Sequence, residues 1–191
     1  MITTLVFLLF AARVGSAPSP AIAAEGGGAT RIDWLLQHAG ALQSAQQRHA
    51  DLAIPFLREA VDLAESSHDP KREGRALIQL GTACHSTHQL DDAQAAFMRA
   101  IELARKNGDT ASEVDALAGI GSMSVDRGNY DAAQKWLRAV LDIGTRDDDV
   151  ASRVRGLNGL AAIADRRGRS AEGERYARIA LAELDAQEAA I

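Results

Sequence analysis

The sequence predicts an all-α chain of about eight helices, arranged as stacked helix–turn–helix repeats. Three observations carry this reading. Apolar residues recur at helical spacing, positions 40 apart carry matching residue types, and glycine, asparagine and proline punctuate the pattern at regular intervals. Composition agrees. Aromatics make up only 4% of the 191 residues, so the core must be built from alanine and aliphatic side chains, and alanine loses no side-chain entropy in a helix.

The chain begins differently. Ile2 to Ala12, ITTLVFLLFAA, is an apolar run of the length found in signal peptides, and Ala21-Ile22-Ala23 supplies small residues for cleavage. The expected organisation is a signal peptide over 1–23, a flexible leader over 24–30, and four repeats over 31–70, 71–110, 111–150 and 151–190. The expected location is the bacterial periplasm or the extracellular space. No stable membrane anchor is expected, since the run is short for a bilayer and no cysteine lies near the cleavage point. Cys84 is the one cysteine and cannot form an internal disulfide. A formal net charge of −5 without a Lys/Arg cluster argues against nucleic acid as a partner.

The repeat is read residue by residue. Leu77, Leu117 and Leu157 are spaced by 40, as are Leu80, Ile120 and Leu160, then Gly81, Gly121 and Ala161, then Ala93, Ala133 and Gly173, and then Ala100, Val140 and Ala180. Extended backward, the register reaches Ala53, Leu57, Ala60 and Val61, so the first repeat is the most diverged. Within 71–110, Leu77, Leu80, Gly81 and Cys84 form one helical stripe, and Ala93, Phe97, Ala100, Ile101 and Ala104 form a second. Asp69-Pro70 predicts an N-cap with proline at the first helical position, and Asn107-Gly108 a left-handed stop. Thr110 with Glu113 reads as a capping box, and Arg127-Gly128-Asn129 and Arg167-Gly168-Arg169 as bends. Pro55 places the start of its helix near Leu52–Ile54, because proline is tolerated only in a first turn. Gly81, Gly121 and Ala161 imply close contact between paired helices, so Gly121→Leu is expected to lose about 1–3 kcal/mol by overpacking.

These residues resemble the tetratricopeptide repeat family. The resemblance rests on Leu-Gly in LIQLG and LAGIG, on Ala93 and Ala133 opening the second helices, on Phe97 and on Ala100, and it is strongest over 71–190. Leu77, Leu117 and Leu157 replace the tryptophan usual in the family, Cys84, Ser124 and Ala164 replace its tyrosine, and the period is 40 rather than 34. The resemblance implies a right-handed α-solenoid whose first helices line a concave groove. HEAT or armadillo stacking, of similar period, is the alternative.

Candidate chemistry is sparse. Cys84, His85 and His88 fall within five residues, but Cys84 aligns with Ser124 and Ala164 and so fills a small core slot. Two histidines at i, i+3 do not complete a closed metal site. Asp91-Asp92 and Asp147-Asp148-Asp149 abut helix starts and read as caps. No nucleophile or phosphate-loop motif is present. A non-enzyme without metal or cofactor is therefore expected.

The groove implied by the resemblance carries Arg75, Ile78, Gln79, Thr82 and His85 from the second repeat. Asp115, Ala118, Ser122 and Asp126 follow from the third, and Arg155, Asn158, Ala162 and Arg166 from the fourth. Charge alternates at Arg75, Asp115 and Arg155, which would either read a ligand or link repeats by ion pairs. Gly119 and Gly159 would leave room for a partner. The expected function is a scaffold that binds a protein or peptide in this groove. Two alternatives are a sensory or regulatory module of a larger signalling enzyme, and a self-associating protein that buries Ala177, Ala180, Leu181 and Leu184 of its last helix.

Overall fold

The computed structural model describes residues 27–44 and 50–189, and the expected signal peptide and most of the leader lie outside them. Every element among the described residues is α-helical. In order they are α1 (Gly28–Ser44), α2 (Ala50–Ser66), α3 (Pro70–Ser86), α4 (Leu90–Asn107), α5 (Thr110–Asp126), α6 (Tyr130–Arg146), α7 (Val150–Arg166) and α8 (Ser170–Ala189). None of these is long and apolar enough to cross a membrane. The chain divides into two compact units, Met1–Gln89 and Leu90–Ile191.

The helices are cut by one device used six times. His68, His88, Gly108, Gly128, Asp148 and Gly168 all have positive φ, between 52° and 72°, and they recur every 20 residues. The next amide then donates to the carbonyl five residues back: Asp69 to Ala64, Gln89 to Cys84, Asp109 to Ala104, Asn129 to Ser124, Asp149 to Gly144 and Arg169 to Ala164, all at 2.8–2.9 Å. This left-handed C-terminal cap satisfies carbonyls that the helix itself cannot. The acceptors are also the small residues of a buried slot, which explains Cys84: it occupies the place held elsewhere by alanine, serine and glycine.

The following helix is capped by a short polar side chain. Asp69 accepts from the Arg72 amide with Pro70 behind it, Asn129 from that of Ala132, and Asp149 from that of Ala151. At α5 the cap is one residue earlier than the sequence reading placed it. Asp109 accepts from the Ser112 amide at 3.1 Å and from its hydroxyl at 2.7 Å. Thr110 is already helical, and Glu113 reaches back to Arg105 at 2.6 Å instead of closing a capping box. The start of α2 is also corrected. The helix runs from Ala50, so Pro55 is its sixth residue, past the first turn, and cannot donate to the Asp51 carbonyl four residues back.

In the first unit α1 packs on α2 and α2 on α3, and α1 also touches α3. Ile32, Leu35, Leu36, Leu57 and Val61 supply its core. In the second unit each helix from α4 to α8 packs on the next. There α5 also meets α7, while no comparable approach joins α4 to α6 or α6 to α8. The first helices of the hairpins thus form the tighter layer of that unit.

Glycines set the spacing between α6 and α7. A Cβ on Gly144 would lie 2.6 Å from the Arg153 backbone nitrogen, and one on Gly156 would lie 2.9 Å from that of Leu141. These positions let two backbones approach where any side chain would part them. Leu137 enters between two more. Its Cγ is 3.0 Å from a Cβ built on Gly121, and its Cδ2 is 2.5 Å from one built on Gly159. The close contact expected at Gly121 is therefore present, and its partner is Leu137. Ala133, Leu137, Leu160 and Ile163 form the buried cluster around this point.

Candidate functional site

In the first unit, α1 and α3 enclose a groove of about 690 Å³. Buried Leu36 gives it an apolar floor, with Gln37 and Gly40 from α1 on one side and Lys71, Arg72, Arg75 and Gln79 from α3 on the other. Gln43 ties the two helices together by donating from Nε2 to the Gln79 carbonyl at 3.1 Å.

The charges in this groove have distinct roles. Arg72 forms a fork to Asp33, Nε to Oδ1 at 3.0 Å and Nη2 to Oδ2 at 2.8 Å, and its Nη1 meets Asp69 at 2.6 Å. Hydrogen bonding from Arg72 holds the Asp33 carboxyl below the usual range, and the charge of Arg75 adds to the effect. The Arg72 amide does the same for Asp69, the cap of α3. Arg72 is therefore balanced by acids, whereas Lys71 and Arg75 are in no ion pair among the described residues and leave the groove positive. Gln79 Oε1 is buried and has no hydrogen-bond partner among the described residues. Such an orphaned acceptor is costly, on the order of 1–3 kcal/mol, and a donor brought by a ligand would relieve it.

Of the residues named from the sequence, Arg75 and Gln79 line this groove. Ile78 and His85 are half-buried on α3, and Thr82 is exposed with its hydroxyl donating to the Ile78 carbonyl at 2.9 Å. The sequence reading missed Asp33, Leu36, Gln37 and Gly40 because it did not place α1. That helix begins 42 residues before α3, whereas α2 begins 40 before α4. Aligning helix starts, Asp33 takes the position of Arg75, Asp115 and Arg155, and so extends the alternation of charge.

In the second unit the strip lies across α5 and α7. Asp115, Ser122 and Asp126 are exposed on the first, and Arg155, Asn158, Ala162 and Arg166 on the second, with Ala118 half-buried. Arg155 pairs with Asp115 across the two helices. The expectation that Gly119 and Gly159 leave room for a partner is corrected. A Cβ on Gly119 would stand 2.5 Å from the Phe97 ring, and Leu137 occupies the equivalent space at Gly159. These glycines admit core side chains from the preceding helix, not a ligand. A second ladder was not foreseen: Arg127 reaches Asp91 at 3.3 Å and Gln94 at 3.1 Å. Forty residues on, Arg167 pairs with Asp131 and covers the Tyr130 ring at 5.6 Å.

Cys84 is buried and His88 occupies the left-handed position of its turn. No group of three or more His, Cys, Asp or Glu able to hold a metal ion occurs among the described residues.

Residues 30–106 match the family model described as "Tetratricopeptide repeat". This part of the chain is a tetratricopeptide repeat. The match takes in the repeat that the sequence reading found most diverged and ends before α5. No curated protein matches the chain. Tetratricopeptide repeats generally serve as protein–protein interaction scaffolds, and the groove between α1 and α3 lies wholly within the matched segment.

Proposed function

We propose that the chain is a non-enzymatic binding platform that receives a segment of a partner protein in the α1–α3 groove, and that it acts outside the bacterial cytoplasm. One observation carries the reading: two cations in no ion pair among the described residues, Lys71 and Arg75, stand over the buried floor of Leu36 beside the orphaned acceptor of Gln79. A partner segment with an acidic group toward the cations and a backbone or side-chain N–H toward Gln79 Oε1 satisfies both. The absence of recognisable catalytic motifs from the sequence supports binding without turnover. The second unit carries a polar surface of its own, where Arg155 of α7 pairs with Asp115 of α5.

The test is an immobilised peptide library probed with the purified chain, then with Arg75→Glu and Gln79→Ala. Enrichment of acid-bearing peptides that is lost in Arg75→Glu is expected. Enrichment indifferent to charge reversal at Arg75 refutes the groove. Determining the N-terminus of the protein recovered from the periplasmic fraction tests export, for which a start at Ala24 is expected.

A further inference from the structure

Glycine is a weak helix former, so a glycine inside a helix calls for a reason. Gly119, Gly121, Gly144, Gly156, Gly159 and Gly173 have one, because a Cβ at any of them would stand within 3.0 Å of a neighbouring atom. Gly40 does not. It lies in the interior of α1, yet beyond its own turn of helix nothing among the described residues comes within 4 Å of its Cβ position. Its φ is not positive, so backbone conformation does not call for glycine either. What distinguishes Gly40 is its place: it is half-buried on the α1 wall of the α1–α3 groove.

The two walls are tied on either side of this point. Asp33 meets Arg72, and Gln43 donates to the Gln79 carbonyl, so Gly40 lies on the span of α1 between the ties. On the α3 wall Lys71, Arg75 and Gln79 recur at four-residue steps, roughly 6 Å apart along the helix. Alternate side chains of an extended peptide recur at nearly the same interval, about 6.6 Å. Such a peptide also has main-chain N–H groups to spare, whereas those of a helix are already used beyond its first turn. The unmatched acceptor of Gln79 and the bare wall at Gly40 therefore both suit exposed main chain.

Resting on the groove reading above, we propose that Gly40 is a specificity-determining residue: it admits the main chain of an extended, internal partner segment whose alternate side chains are acidic and turn toward Lys71 and Arg75. A side chain at position 40 would hold that main chain off the wall and carry the acids away from the cations. A helical partner, its main chain sheathed in side chains, gains nothing from the glycine. The room once expected at Gly119 and Gly159, which core side chains fill, is found at Gly40 instead. Helix stability is given up there for access to the groove.

The test titrates the full chain with a hexapeptide of alternating glutamate and glycine, blocked at both ends so that no terminal charge takes part, and follows amide chemical shifts. The wild-type chain should bind it, with the Gly40 and Arg75 amides among those that move. Gly40→Leu should raise the dissociation constant about tenfold or more, without lowering the melting temperature, because leucine is the better helix former. A peptide carrying N-methylglycine at each glycine, which removes the N–H and thickens the main chain, should bind more weakly by a similar factor. A wild-type chain that does not bind the blocked peptide, an affinity unchanged in Gly40→Leu, or equal binding of the N-methylated peptide overturns the proposal. Arg75→Glu separates this from the groove itself. Binding lost in Arg75→Glu but kept in Gly40→Leu removes the role of Gly40 and leaves the groove standing, whereas binding indifferent to both removes the groove as well.

Discussion

Leu137 fills the space that a Cβ on Gly159 would need, its Cδ2 standing 2.5 Å from that point. Because Gly121 confines the same side chain from another side, Leu137 cannot swing away. Glycine is ordinarily a weak helix former, so its presence here reflects packing rather than propensity.

Glycine-to-alanine substitutions should accordingly separate into two groups. Gly144→Ala and Gly156→Ala meet backbone atoms of the facing helix and should lose about 1–3 kcal/mol despite the gain in helix propensity. Gly40→Ala, in the interior of α1 with open space around it, should gain about 0.5–1 kcal/mol. Urea unfolding midpoints measure both, and a loss at Gly40 matching that at Gly144 would refute the packing account.

The left-handed turn residues predict stabilisation. His68, His88 and Asp148 hold a conformation that costs an L-residue energy and glycine little. Replacing any one by glycine should raise stability by about 0.5–1 kcal/mol, and Gly128→Ala should lower it by about 1 kcal/mol. Thermal melts of the four single variants, compared at equal concentration, check the sign.

Cap assignment at α5 can be tested by alanine substitution. Asp109→Ala should cost about 1 kcal/mol, whereas Thr110→Ala should stay within about 0.5 kcal/mol. Equal effects would return the cap to Thr110. Amide exchange at Ser112, whose N–H is bonded to Asp109, should speed up in the first variant alone.

Acid sensitivity should begin in the first unit. His38 stacks on Trp34 with ring centroids 3.9 Å apart, and burial pushes its pKa below the ordinary 6.5 against the opposing pull of the Trp34 carbonyl. Below about pH 6.5 the unfolded chain therefore binds a proton that the folded chain refuses, and stability falls as pH falls. Asp69 and Asp149 act in a lower window. The Arg72 amide and the Ser152 hydroxyl, respectively, hold them below 3.8, so the stability they contribute is kept above that value and lost as pH drops beneath it. The chain has two tryptophans, one in each unit. In Trp136→Phe, Trp34 fluorescence reports the first loss, and adding His38→Gln should abolish it.

The Asp115–Arg155 pair should stabilise little. Both side chains are about half exposed, 48% and 49%, so a double-mutant cycle should return about 0–1 kcal/mol and less in high salt. A larger coupling would mark the pair as more than a surface link between α5 and α7.

Helix identity and most turns were legible in the sequence because both depend on local features: apolar spacing, left-handed glycines and the small residues behind them. Three things were not. The 20-residue rhythm is hidden because His68, His88 and Asp148 share a backbone conformation with the glycines but not their side chains. The α1 register is hidden because five residues separate α1 from α2 where three separate α3 from α4, so a strict 40-residue spacing puts Asp33, Leu36 and Gln37 out of phase. The role of Gly119 and Gly159 depends on which way Phe97 and Leu137 point, which no single-chain periodicity specifies. Of the residues lining the α1–α3 groove, the sequence reading named Arg75 and Gln79 and none from the opposite wall.

A uniform pitch of 20 residues from His68 to Gly168 has a genetic consequence. Duplicating or deleting forty codons within that span leaves every later cap, slot and knob in phase, so such a chain can change length by whole hairpins in one recombination event. The longer connection ahead of Ala50 breaks that phase, which confines seamless splicing to the segment downstream of it.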